Sequence, residues 1–142
     1  MFRAFVIYML TVAPALAWEA RSGAVCELVN DGEGSQVRVT FDPAIPEYAI
    51  AVTPGRALQD GPVFAMRFDG SRSNTIATDR HVLSGDGATV TVRDRGFGNV
   101  LDGLEFNHTA TVLLGDQAIA VPLDGAGPAV RAFRDCASGL SV

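Results

Sequence analysis

Asp79-Arg80-His81 is the one place in this chain where an acid, a cation and an imidazole stand side by side. On a strand, alternation would put Asp79 and His81 on one face and Arg80 on the other. An acid beside an imidazole is the pair that orients a general base, so Asp79 and His81 are the candidate catalytic residues. An ordinary surface ion pair on an edge strand is the competing reading. The arginines form a second constellation. If residues 77–95 fold as a hairpin, Arg80 and Arg93 sit near one another across the pair. With Arg95 and the glycine-flanked Phe97 they would present guanidinium groups beside an exposed aromatic, suited to gripping a carboxylate or phosphate on a partner. Against this, Asp79, Asp94 and Asp102 are close enough in sequence to neutralise them as surface ion pairs, each worth little.

Other chemistries are excluded by what is missing. "RGFGNVLDG" begins like a dinucleotide loop, but G-x-G-x-x-G needs a third glycine where Leu101 stands, and no βαβ unit surrounds it. All 11 basic residues are Arg, so Schiff-base chemistry, P-loop lysines and Ser–Lys dyads have no lysine to use. No G-x-S-x-G is present; "GSRSN", with Ser71 and Ser73, does not fit it. A structural zinc site wants four N or S ligands, and the chain offers only two His and two Cys. No metal and no cofactor are expected. Asn107-His108-Thr109 is a glycosylation sequon, relevant only in a eukaryotic secretory pathway.

The N-terminus says where the chain goes. "MFRAFVIYMLTVAPALA" carries one charge at Arg3, an apolar stretch from Ala4 to Val12, and small residues at Ala15 and Ala17. This reads as a signal peptide over residues 1–17, cleaved before Trp18, and the apolar run is short for a membrane span. No stable span is expected after cleavage. Losing Arg3 leaves ten Arg against sixteen acids, a net charge of −6. An acidic chain without basic runs does not suit nucleic acid. Cys26 and Cys136 stand near opposite ends of the mature chain. In an oxidising compartment they are expected to bridge, closing a loop of about 110 residues. Two free thiols or a redox pair is the other possibility.

These groups need a scaffold, and the hydrophobic pattern supplies one. "SQVRVTFD" alternates, with Val37, Val39 and Phe41 on one face; "VFAMRFDG" does the same with Phe64, Met66 and Phe68; "TVTVRDR" with Val90 and Val92. Glycine-rich breaks separate the runs, including "SGDGA" at residues 84–88 and Gly115-Asp116-Gln117, both hairpin signals. Residues 74–83 read as one or two short strands. Asn99 is placed to cap a short helical turn carrying Val100, Leu101 and Leu104. Near the end the period changes: Ala129, Phe133 and Cys136 share one helical face, with Pro128 in the first turn. Residues 137–142 read as a loose tail. The expected fold is mainly β: an antiparallel sandwich or barrel of about eight short strands, closed by one C-terminal helix, in a single domain over residues 18–142.

The stretch "NVLDGLEFNHTATVLLGDQAIAVPLDGAGPAVRAFRDC" resembles the end of the invasion-associated locus B family, small exported proteobacterial β-rich proteins. The matching residues are Leu101, Leu104, Leu123, Gly125 and Ala129, over about 40 residues. The single long-range cysteine pair departs from that family's usual pattern. The resemblance implies an exported bacterial β domain, periplasmic in location, and carries over no catalytic residue. With no complete catalytic set in the chain, the favoured expectation is a non-enzymatic periplasmic or secreted domain that binds an envelope protein, a polysaccharide or a small ligand. The alternative is a small hydrolase-type enzyme using Asp79 and His81.

Overall fold

The computed structural model describes residues 9–10, 17–30 and 34–140. The expected signal peptide therefore lies outside the described residues except at 9, 10 and 17. From Trp18 onward the described residues form ten strands and two helices. Six strands make one antiparallel sheet: β1 (Trp18–Arg21), β2 (Cys26–Asn30), β3 (Gln36–Asp42) and β4 (Glu47–Thr53), with β8 (Thr89–Asp94) beside β4 and β7 (Val82–Ser84) at the edge. Four make the other, in the order β10 (Gln117–Pro122), β9 (Asn107–Leu114), β5 (Phe64–Gly70), β6 (Asn74–Thr78). Helix α1 (Gly98–Phe106) connects β8 to β9, and α2 (Ala126–Leu140) follows β10. Two separate antiparallel sheets around one core make this a sandwich, closed by the expected C-terminal helix.

The alternating runs behave as their period requires. Val37, Val39 and Phe41 of β3, Phe64, Met66 and Phe68 of β5, and Val90 and Val92 of β8 are all buried, and they meet in one continuous core. On α2, Val130 and Phe133 are fully buried and Ala129 nearly so, which seats the helix on β1, β2 and α1. Cys136 on α2 and Cys26 on β2 form the expected disulfide, with Cα atoms 6.0 Å apart. The helix continues through Leu140, so residues 137–140 are helical rather than a loose tail. At the same flank the Trp18 indole N–H donates to the Pro122 carbonyl at 3.2 Å, tying the edge strand of one sheet to that of the other. Among the described residues, no helix is long and apolar enough to cross a membrane.

Helix α1 is longer than the single turn expected. Its cap also differs, for Phe97 occupies the N-cap and no side chain caps the helix, while Asn99 lies inside the first turn. Gly103 explains how the helix packs. A Cβ there would run into the ring of Phe68, so only glycine lets α1 settle this closely on β5. At the far end Asn107 donates its side-chain amide to the Gly103 carbonyl at 3.0 Å, satisfying a group the helix terminus leaves open.

Candidate functional site

The predicted acid–imidazole pair does not form. Strand β6 ends at Thr78 in the four-stranded sheet and β7 begins at Val82 in the six-stranded one, so Asp79, Arg80 and His81 are the crossing between sheets. The break is local: the Thr78 hydroxyl accepts the Arg80 N–H at 3.1 Å, a turn that ends the strand. His81 takes its partners elsewhere, from the segment before β5. Its Nε2 lies 3.0 Å from Asp60 Oδ1 and 2.9 Å from the Gly61 carbonyl. Two acceptors on one nitrogen require that Nε2 carry the proton. Its Nδ1 is buried with no partner among the described residues, and the side chain is only 5% exposed. A general base must reach a substrate proton, and neither nitrogen is open to one. The contact leaves its mark on Asp60, whose carboxyl is held below its ordinary value first by the His81 hydrogen bond and then by the Gly61 N–H.

The arginines are distributed rather than clustered. Arg80 pairs with Asp94 at 2.8 Å, and Arg93 reaches Glu47 at 3.5 Å. Alternation along β8 separates them: Val92 and Asp94 point to one side, and Arg93 points to the other. Arg95 is exposed and lies outside the cleft described next. Phe97 is not the exposed aromatic that the patch needed. It is 4% exposed and stacks on Tyr48 with ring centroids 5.4 Å apart. The "RGFG" segment is a core plug and the start of a helix.

Two of these four residues, Arg80 and Phe97, nonetheless line a cleft in the sandwich. Strand β7 pairs only with Thr89–Thr91, so among the described residues β8 from Val92 onward has no strand neighbour on that side. The two sheets part there, leaving a cleft of about 450 Å³. Ile50 and Val92 line it from one sheet, Phe64, Met66 and Ile76 from the other. Phe97 and Val100 close one end at the first turn of α1, and Arg80 and Asp94 stand at the cleft as an ion pair. Asp94 is held below its ordinary carboxyl value, first by the Arg95 backbone N–H at 2.7 Å and then by Arg80. The arrangement is an apolar interior with a few fixed polar groups, at a volume within the usual range of small-molecule sites. Among the described residues, no group of three His, Cys, Asp or Glu side chains is placed to hold a metal ion.

Sequence reasoning found Arg80 and Phe97 and missed the apolar walls. Those walls come from five separate segments, each of which reads locally as ordinary core. The one usable signal is the unequal hairpin, in which the polar Asp79-Arg80 break shortens β7 while β8 runs on. The sequon asparagine is also placed: Asn107 is 7% exposed and its side chain bonds to Arg72 and Gly103, so the folded chain does not offer it for glycosylation. No family model, curated protein or solved structure matches this chain, and its function is read from its own geometry.

Proposed function

We propose that this chain is an exported, non-enzymatic binding domain, periplasmic or secreted, whose inter-sheet cleft takes the apolar part of a small ligand. The observation that carries this reading is the cleft itself: about 450 Å³ between Ile50 and Val92 on one side and Phe64, Met66 and Ile76 on the other, with Arg80 and Asp94 beside it. The signal-peptide pattern and the disulfide between the second strand and the last helix support export. The small ligand is favoured over an envelope protein or polysaccharide because the apolar surface is recessed rather than spread on a face. The enzymatic alternative loses its support because His81 pairs with Asp60 rather than Asp79, its Nε2 is taken up by Asp60 and Gly61, and its Nδ1 is buried.

The test is a titration of the methyl-labelled mature protein with decanol, followed by NMR. Saturable shifts are expected at Ile50, Met66, Ile76, Val92 and Val100. The exposed Ile45, Val63 and Val82 serve as controls. Filling the cleft with Ile76→Trp should abolish the response while the disulfide and circular dichroism stay unchanged. Shifts confined to the exposed methyls, or no saturable shift, would overturn the reading.

A further inference from the structure

A second hollow, about 230 Å³, adjoins the cleft and has the opposite chemistry: it is lined by Arg72, Ser73, Asn74, Asn99, Asp102 and Gly103. Asn99 lines both spaces. Strand β6 runs from one to the other, with Asn74 in the hollow and Ile76 and Thr78 in the cleft. Alternation puts these three on one face of the strand, and four residues of strand span about 13 Å. Apolar at one end and polar at the other, the two spaces form a trough along β6 and the first turns of α1.

The charges in the hollow do not cancel. Asp102 is taken up by Arg134 of α2 at 2.6 Å. Arg72 has no carboxylate within ion-pair distance among the described residues; its guanidinium rests over the Phe106 ring at 4.0 Å. Its backbone is held from both sides by Asn107, which accepts its N–H and donates to its carbonyl, each at 3.0 Å. A cation without a carboxylate partner therefore lines the same hollow as Asn74 and Asn99, while the Ser73 hydroxyl there donates to the Gly70 carbonyl and accepts the Gly70 N–H. At the cleft, by contrast, Arg80 is already neutralised by Asp94, and an anion there would have to displace a carboxylate.

We propose that cleft and hollow are one site for a single-chain amphiphile with an anionic head. The tail lies between the sheets, and the head, a carboxylate or phosphate, sits on Arg72 in the hollow that Asn74 and Asn99 also line. This inference rests on the reading of the cleft as a ligand site and adds the class of ligand. Arginine suits the role because its planar fork matches either oxyanion in two parallel hydrogen bonds.

Calorimetric titration of the disulfide-bonded mature protein with decyl phosphate, decanoate, decyl glucoside and decyltrimethylammonium, all below their micelle concentrations, tests it. The two anions are expected to bind most tightly, and their ranking tells a phosphate head from a carboxylate one. Arg72→Gln should weaken the anions by about tenfold or more, as loss of a charged hydrogen bond implies, and leave decyl glucoside nearly unchanged. Arg72→Lys should recover part of the loss, and Arg80→Gln should leave the preference for anions intact. Equal binding of all four probes, or a preference lost in Arg80→Gln and kept in Arg72→Gln, overturns the inference while the cleft reading stands. Binding of none of the four overturns both.

Discussion

Asp94 shows how one residue's surroundings set what a ligand meets at the cleft. Its carboxyl accepts the Arg95 N–H and the Arg80 guanidinium, and both hold its pKa below the ordinary 3.8. A depressed carboxyl contributes stability above its unfolded pKa and loses it as pH falls through the folded one. The Arg80–Asp94 pair should thus persist through neutral and mildly acid pH and fail only below 3.8. Carboxyl-carbon NMR of Asp94 is expected to give a midpoint under that value, and still under it in Arg80→Gln, because the backbone bond is the larger cause. A return to the ordinary value in that variant would show that the guanidinium dominates. Asn107 gives a second prediction at this scale. Its buried amide makes three hydrogen bonds, to Arg72 and Gly103, so Asn107→Ala should cost about 2–4 kcal/mol in denaturant unfolding. A loss under about 0.5 kcal/mol would mean that water replaces the side chain there.

At the scale of elements, the packing of α1 on β5 depends on Gly103. A methyl group would press on the ring of Phe68, which is fully buried. Gly103→Ala should therefore destabilise by about 1–3 kcal/mol, the usual range for overpacking, and Phe68→Leu in the same chain should recover part of it. Additive losses in the double variant would contradict the contact. Strands β3, β5 and β8 were legible because alternation is a local property of the chain. Helix α2 was legible from its face of Ala129, Phe133 and Cys136, though its end was read too early. Strand β1 was not, since Trp-Glu-Ala-Arg is too short to show a period. The crossing at Asp79–His81 was illegible for a deeper reason. Which sheet a strand joins is decided by partners far along the chain, and β6 and β7 take theirs from opposite sheets. The Asp60 contact of His81 follows from that choice, across 21 positions.

Over the whole molecule, the two flanks of the sandwich differ. One is sealed by α2, by the Trp18–Pro122 bond and by the disulfide; the other is the open cleft. The cysteine pair was legible from compartment and count alone, and its closing of a long loop should matter. Replacing both cysteines with serine is expected to cost about 4–5 kcal/mol by the loop-entropy relation, measured by urea unfolding with and without reductant. A cost under about 1 kcal/mol would show that strain or residual structure offsets the constraint. The cleft was not legible as a site, because Ile50, Phe64, Ile76, Val92 and Val100 come together only when both sheets are assembled. Its occupation by ligand is the central claim, and intermolecular NOEs in the decyl phosphate complex test it most directly. The account predicts NOEs from the alkyl protons to the methyls of Ile50, Ile76 and Val92. NOEs to Ile45, Val63 or Val82 instead, with none to those three, would contradict it.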